Sequence, residues 1–257
     1  MQMIELYSSL SGDYQRAFQV FLDHTDQKAT ARAWLERLVA GLPSRRVFVD
    51  AGAGNGKVTA WFTDAFEHTI AIEPNPHLRA DLAQHCPSVE VLPDTILEAS
   101  PSQPGDLVLC SHVLYYIDGE AWMAHVERMA SWLAANGVLV VAIQNQDTDC
   151  MRMLDHFYGW RFDLRALVTR LRAEHGQQLA VTLETVPAHV TTQDFERAYV
   201  VAEFMMNLPP SAYPVPRRDL EAYVQQTFRG DDGYRFSCHQ DFLQIRRRLA
   251  GAHGLIS

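Results

Sequence analysis

The stretch Arg46–Thr59, RVFVDAGAGNGKVT, decides the fold that we expect for this chain. It begins with Val47–Asp50, where three apolar residues, two of them β-branched, are typical of a short buried strand. Glycines follow at positions 52, 54 and 56, and Lys57–Phe62 is a plausible helix start. Glycines let the backbone approach a ligand, and the free N–H groups of a helix start favour a negative group there. The stretch therefore predicts a nucleotide-binding loop.

The spacing of the glycines separates this loop from the common dinucleotide fingerprint. That fingerprint is Gly-x-Gly-x-x-Gly, whereas this chain has Asp50-x-Gly52-x-Gly54-x-Gly56 and places Lys57 where the third glycine would fall. Strand and helix patterns then alternate, and we predict further strands at Thr69–Glu73, Val89–Leu92, Asp106–His112 and Val138–Ile143. Before the last of these strands we predict a helix closed by Asn136-Gly137, a pair typical of a helix end.

Two acids follow predicted strands at positions where a nucleotide could be bound. Glu73 ends the second strand 17 residues after Gly56, where an acid accepts hydrogen bonds from ribose hydroxyls in nucleotide-binding folds. Asp94 follows the third strand, where it can accept from an adenine amino group, although an ordinary polar loop residue is the alternative.

Residues 45–145 resemble the class I S-adenosylmethionine-dependent methyltransferases, whose first motif is acidic-x-Gly-x-Gly-x-Gly. The resemblance implies an α/β fold with a Rossmann-like sheet of seven strands, the last one antiparallel, and S-adenosyl-L-methionine as cofactor. It also implies a set of cofactor-binding residues at the ends of the first four strands: Asp50, Gly52, Ala53, Gly54, Asn55, Glu73, Pro74, Asp94, Thr95, Ser111 and His112.

The segments outside this core predict a cover and a lid. Apolar residues at helical spacing indicate two helices before the first strand, joined near Asp23–Gln27. After residue 145 the alternation loosens, and we predict a helix over 156–174 and strands over 179–190 and 234–245. A proline-rich segment beside apolar helices indicates a helical lid inserted before the last strand. We therefore expect an N-terminal helical cover (1–45), a cofactor-binding core (46–145), and lid helices with terminal strands that complete the same domain (146–257).

Three stretches resemble the histamine N-methyltransferase family more narrowly. They are the helix from Tyr14 to Thr25, the stretch His112–Ile117 (HVLYYI), and Phe236–Ile245 (FSCHQDFLQI). The polar residues that hold the substrate in that family match Gln27, His112 and Cys238 here, and all three differ in residue type. The resemblance implies an acceptor site lined by Tyr7, Tyr14, Phe18, Gln27, Tyr115, Tyr116 and Cys238. We expect it to lie between the N-terminal helices, the His112–Tyr116 stretch and the lid.

A neutral amine acceptor needs a group that removes its proton, and His112 is the first candidate because an unperturbed imidazole titrates near neutral pH. His24 and Tyr14 are the second and third candidates for this catalytic role. A carboxylate acceptor would need no base. The reaction itself is an in-line displacement, for which the protein aligns two groups in a dry pocket.

The composition limits the partners. A net charge of −9 argues against a nucleic-acid substrate, and no apolar run is long enough to span a membrane. The four cysteines are scattered without metal-ligand spacing, so we expect no metal, and this usage fits a reducing cytoplasm. We expect a small-molecule substrate and a monomer or homodimer.

Several functions remain open at this point. The first is N-methylation of an amine or imidazole-type nitrogen. The alternative is O-methylation of a hydroxyl or carboxyl group of a small metabolite or natural-product intermediate. A binding protein without catalysis is disfavoured by the retained Asp50, Glu73 and glycines. An NAD-dependent oxidoreductase is disfavoured by Lys57 and by the antiparallel final strand.

Overall fold

The computed structural model describes residues 2–7, 11–209 and 212–248 and divides the chain into two units. The sheet unit comprises residues 35–143, 164–184 and 242–248, and the helical unit comprises the described part of residues 1–34, 144–163 and 185–241. The predicted division into a cover, a core and a lid stays a prediction.

The sheet unit carries most of a seven-stranded mixed sheet with one antiparallel strand, and this confirms the predicted Rossmann-like fold. Its strand order is β3-β2-β1-β4-β5-β10-β6. The five strands β1 to β5 run parallel to one another. The strands are β1 (Val47–Ala51), β2 (His68–Ile72), β3 (Glu90–Leu92), β4 (Gly105–Ser111), β5 (Leu133–Gln144), β6 (Leu179–Val186) and β10 (Gln240–Arg247).

The central strand β1 sets the position of the ligand-binding edge. All five of its residues are buried, as expected for a strand with parallel neighbours on both sides. Ala51 pairs with Ile72, and Ile72 pairs with Leu92, so β1, β2 and β3 end side by side. The residues that follow these strands therefore meet at one edge of the sheet, where ligands bind in open α/β sheets.

The predicted helix directly after the glycine loop is wrong. Residues 59–65 form two short 3-10 helices, Thr59–Trp61 and Thr63–Ala65. The amides of Trp61 and Phe62 bond three residues back, which tightens the turn and brings the chain to β2 within seven residues of Trp61. Phe62 and Phe66 then pack on Phe48 of β1 at centroid distances of 5.9 and 5.5 Å.

The Asn136-Gly137 pair does not end a helix, as the sequence had predicted, but lies inside β5. The helix α4 (Trp122–Ser131) ends before it. A side-chain carbon at Gly137 would lie 2.3 Å from the carbonyl oxygen of Gly105, so glycine is needed there for close approach of two backbones. The other helices of the sheet unit are α3 (Pro76–His85), capped by Asn75, and α6 (Leu164–His175).

Three segments predicted as single elements are each divided into two. The predicted helix 156–174 is split by Gly159, which has a left-handed backbone after α5 (Asp149–Tyr158). The predicted strand 179–190 becomes β6 and β7 (His189–Thr192), and the predicted strand 234–245 becomes β9 (Gly233–Ser237) and β10. Local apolar patterns do not show where a strand leaves one sheet and the next strand joins another.

The helical unit holds helices and a small antiparallel sheet with the order β7-β9-β8. Its helices are α1 (Gly12–His24), α5, α7 (Phe195–Met206) and α8 (Arg217–Thr227), and β8 is Arg229–Gly230. The two predicted N-terminal helices are confirmed, because α2 (Gln27–Ala40) follows α1 after a two-residue junction. Within the part of the chain that the structure describes, no helix is long and apolar enough to cross a membrane.

Candidate functional site

The glycine loop after β1 is held against the end of β2. The amides of Gly52 and Ala53 both donate to the carbonyl oxygen of Ile72, at 2.8 and 3.1 Å. Gly52 and Gly54 have φ angles of +80° and +57°, a region in which a side chain is strained. A side-chain carbon at Gly52 would meet Val113 at 2.4 Å, whereas one at Gly54 would meet nothing within 4 Å. The loop therefore packs on Val113 at Gly52 and presents open backbone at Gly54.

Glu73 connects the glycine loop to the loop after β2. Its carboxylate is 6% exposed and accepts from the amide of Gly54 through Oε2 and from the amide of Asn75 through Oε1, each at 2.8 Å. A carboxylate has about four acceptor positions, so these two bonds leave capacity for the two hydroxyls of a ribose. The Arg79 guanidinium, which the sequence analysis did not single out, donates to the backbone carbonyls of Glu73 and Pro74.

Asp50 lies beneath the loop. It is 2% exposed, and its Oδ2 accepts from the Thr59 hydroxyl at 2.7 Å. Burial raises the pKa of Asp50 to about 7, although the Thr59 hydrogen bond lowers it and the charge of Glu73 raises it further. Thr59 was missed by the sequence analysis, because a threonine inside a predicted helix carries no signal of a buried carboxylate partner.

The remaining predicted cofactor residues lie at the same edge of the sheet but differ in exposure. Ala53 is buried with Ala71 and Leu82, and Asn55 is half-buried in the loop. Asp94 and Thr95 follow β3, and the Thr95 hydroxyl donates to Glu98 at 2.7 Å. Ser111 is the last residue of β4 and pairs with Ala142. Their roles in cofactor binding stay predictions.

His112 has an unusual backbone at the end of β4. Its φ is +58°, and it is the one residue other than glycine with a positive φ in the described ranges. The amide of His112 donates to the Ala142 carbonyl at 2.8 Å, and its Nδ1 lies 3.1 Å from the hydroxyl of Tyr115. Tyr115 is 8% exposed, whereas Tyr116 is 70% exposed. The turn after β4 thus joins an imidazole to a buried phenol and leaves a second phenol open to solvent.

The aromatic residues of the N-terminal helix belong to the helical unit. Tyr14, Phe18 and Phe21 of α1 surround Phe204 of α7, with ring centroids 5.4–5.6 Å from it. The Lys28 ammonium lies 5.3 Å from the centroid of the Phe18 ring. Phe18 therefore already faces a cation supplied by the chain itself.

Gln27 and Cys238, which are 211 positions apart, are brought together in the helical unit. The side-chain amide of Gln27 donates to the Cys238 carbonyl at 2.8 Å, and both residues are buried. The Cys238 thiol lies 3.3 Å from the Thr25 hydroxyl, and burial raises its pKa to about 12. His24, the second candidate base, is half-buried in the last turn of α1.

Tyr7 takes part in a buried polar cluster that the sequence analysis missed. The Glu203 carboxylate accepts from the hydroxyls of Tyr7 and Tyr199 at 2.8 and 2.7 Å and from the amide of Glu5 at 3.1 Å. Burial, and then the Glu203 hydrogen bond, raise the pKa of Tyr7. The sequence did carry one signal of this cluster, which is Glu203, an acidic residue inside the apolar stretch Tyr199–Met206. The assignment of these residues to an acceptor site stays a prediction.

The comparisons with known proteins agree with this geometry. A family described as a methyltransferase domain matches residues 22–184. Among solved structures, the N-methyltransferase NodS from Bradyrhizobium japonicum WM9 in complex with S-adenosyl-l-homocysteine is 16% identical, with a TM-score of 0.55 over 93% of this chain and 99% of that chain. The YcgJ protein from Bacillus subtilis is 15% identical, with a TM-score of 0.57 over 84% of this chain and 98% of that chain.

A putative methyltransferase from Bacillus halodurans C-125 is 13% identical, with a TM-score of 0.56 over 84% of this chain and 97% of that chain. At these identities the structural similarities show the fold alone. A search of the curated proteins finds no match.

Proposed function

The chain belongs to the methyltransferase domain family and is an S-adenosylmethionine-dependent methyltransferase, and we propose that it methylates a nitrogen of a small-molecule amine or imidazole. The main support for this proposal is the position of His112, whose imidazole directly follows β4 on a backbone of left-handed conformation. An amine is protonated near neutral pH and must lose a proton before its lone pair can attack a methyl group.

The residues at the sheet edge fit the cofactor. Gly54 presents backbone with open space in front of it, and the Glu73 carboxylate retains acceptor positions for ribose hydroxyls. When bound, S-adenosylmethionine supplies an electrophilic methyl group on a sulfonium. Glu73 then orients the ribose, and Asp50 supports the loop from below through Thr59.

We assign to His112 the removal of the proton from the acceptor nitrogen. A positioned base of this kind contributes typically about 10²–10⁴ in rate. The fold shared with an N-methyltransferase and the narrower resemblance to the histamine N-methyltransferases support a nitrogen acceptor. We assign an acceptor contact to Tyr116, which is exposed in the turn that follows His112.

A second candidate function is O-methylation of a carboxylate, and Gln27 favours it. Gln27 stands where the histamine N-methyltransferase family has an acid for the substrate amine, and its side-chain amide donates to the Cys238 carbonyl. A neutral amide does not attract an ammonium ion as a carboxylate does. A carboxylate acceptor would also need no base.

One experiment separates the two candidates. Amines, phenols and carboxylates are screened with methyl-labelled S-adenosylmethionine, and the best acceptor is assayed with wild type, His112→Gln and the control His125→Gln. His125 lies on α4 and bonds the Ala121 carbonyl, outside the site. We expect an amine acceptor and a loss of about 100-fold in kcat for His112→Gln alone. A carboxylate acceptor with turnover within threefold in His112→Gln would contradict N-methylation and support the alternative.

A further inference from the structure

The backbone of His112 is fixed by the structure around it. A positive φ is strained for a residue with a side chain, and such strain persists where the surroundings hold it in place. The His112 amide continues the pairing of β4 with β5 by donating to Ala142, and the next residue, Val113, packs against the Cα of Gly52. His112 is therefore held between the sheet and the cofactor loop, and its side-chain direction is set by the fold.

Tyr115 is fixed as firmly in the same turn. Residues 114–116 form one 3-10 turn, and the indole N–H of Trp122 donates to the carbonyls of Leu114 and Ile117 on either side of Tyr115, at 3.1 and 3.0 Å. Tyr115 is buried, its ring lies 5.7 Å from the His112 ring at an interplanar angle of 25°, and its hydroxyl lies 3.1 Å from His112 Nδ1. The phenol thus has a defined position against one nitrogen of the imidazole.

We propose that Tyr115 is a positioning residue, whose hydroxyl accepts a hydrogen bond from Nδ1–H of His112 and thereby keeps the lone pair of the neutral imidazole on Nε2. This inference rests on the proposed function of His112 as the base. A neutral imidazole carries its proton on one nitrogen only, and a tyrosine hydroxyl can accept as well as donate. When the hydroxyl accepts from Nδ1–H, Nε2 keeps its lone pair and is the nitrogen that can take up a proton.

The proton transfer then follows from this arrangement. An N–H bond of the acceptor ammonium breaks, and the Nε2 lone pair of His112 forms the new N–H bond. The imidazole becomes an imidazolium, and the freed electron pair stays on the acceptor nitrogen for attack on the methyl group. Tyr115 neither gains nor loses a proton in this step, in which it holds Nδ1–H of His112.

Nitrogen NMR of the histidine side chains tests the proposal without any acceptor. The protein is labelled with ¹⁵N-histidine, the His112 signals are identified by their loss in His112→Gln, and the tautomer is determined at a pH where the ring is neutral. We expect the Nδ1–H tautomer in wild type. In Tyr115→Phe the ratio of tautomers should shift about two- to tenfold toward Nε2–H, which is the size of one neutral hydrogen bond.

Tyr116→Phe is the matched control, because it removes a neighbouring hydroxyl that is exposed, and it should leave the His112 tautomer unchanged. A wild-type His112 in the Nε2–H form, or an equal tautomer ratio in wild type and Tyr115→Phe, would overturn the proposal. These outcomes do not depend on which acceptor is methylated. Once an amine acceptor is identified, Tyr115→Phe should lower kcat and leave KM nearly unchanged. A rise in KM alone would instead assign Tyr115 to acceptor binding and contradict the positioning role.

Discussion

Replacing Glu73 should weaken the binding of S-adenosylmethionine. The carboxylate is buried, and its two oxygens are held by the amides of Gly54 and Asn75. It is therefore oriented before the cofactor arrives, and little conformational entropy is lost when the ribose hydroxyls bind.

The expected magnitude follows from the bonds that are lost. Hydrogen bonds to a charged acceptor contribute about 1.5–3 kcal/mol each, but water replaces part of the loss in the variant, so the pair of ribose bonds contributes about 2–3 kcal/mol. Each 1.4 kcal/mol is a factor of ten. Glu73→Ala should therefore raise the Kd for S-adenosylmethionine roughly 30–150-fold. Glu73→Gln, which keeps the volume, should show a loss in the same direction.

Isothermal titration calorimetry of the purified variants measures this effect, and circular dichroism checks that they are folded. The matched control is Glu90→Gln, because Glu90 also makes two side-chain hydrogen bonds, to His68 and Ser102, but begins β3 at the opposite end of the strand. The control should bind S-adenosylmethionine as wild type does. A folded Glu73→Ala protein whose Kd lies within twofold of wild type would refute the role that we give to this carboxylate.

Two further predictions concern Asp50 and Tyr116. Burial raises the pKa of Asp50 to about 7, against an ordinary value of 3.8. Between these two pH values the folded chain binds more protons than the unfolded chain. The stability of the fold therefore falls as the pH rises from about 4 to 7. One pKa unit is 1.36 kcal/mol, so Asp50→Asn should remove a pH-dependent penalty of roughly 3 kcal/mol, measured as the change in urea-unfolding free energy between pH 4.5 and 8. An unaltered pH dependence would contradict the burial argument. Because the Tyr116 side chain is exposed, Tyr116→Ala should leave the unfolding free energy within about 0.5 kcal/mol of wild type. The same variant should raise KM for the acceptor in steady-state kinetics. An unchanged KM would exclude Tyr116 from the acceptor site.

The cofactor edge could be predicted because its signals are local. The glycines at 52, 54 and 56, with an acid 17 residues later, belong to one strand–loop–strand unit whose geometry is set by backbone sterics. The alternation of strands and helices was likewise sufficient to predict the parallel strands β1 to β5. Both are properties of short segments, and each segment carries its own apolar pattern.

The ends of elements were predicted less well, because packing between distant segments decides them. Gly137 is typical of a helix end in the sequence, but it lies in β5, where the backbone of Gly105 approaches too closely for a side chain. The residues after the glycine loop have apolar residues at helical spacing. The buried hydrogen bond from the Thr59 hydroxyl to Asp50, and the small number of residues before β2, favour 3-10 turns instead.

The sequence by itself determined the fold class, the cofactor loop and the candidate base, since these depend on residue types at fixed local spacings. Only the tertiary structure decided the partners of the polar side chains. It placed the Tyr7 hydroxyl on Glu203, the Gln27 amide on the Cys238 carbonyl, and the Tyr115 hydroxyl beside His112. The first two of these pairs join residues about 200 positions apart, and no local pattern indicates them. Buried polar groups require hydrogen-bond partners, but the complete chain determines which partner each one meets.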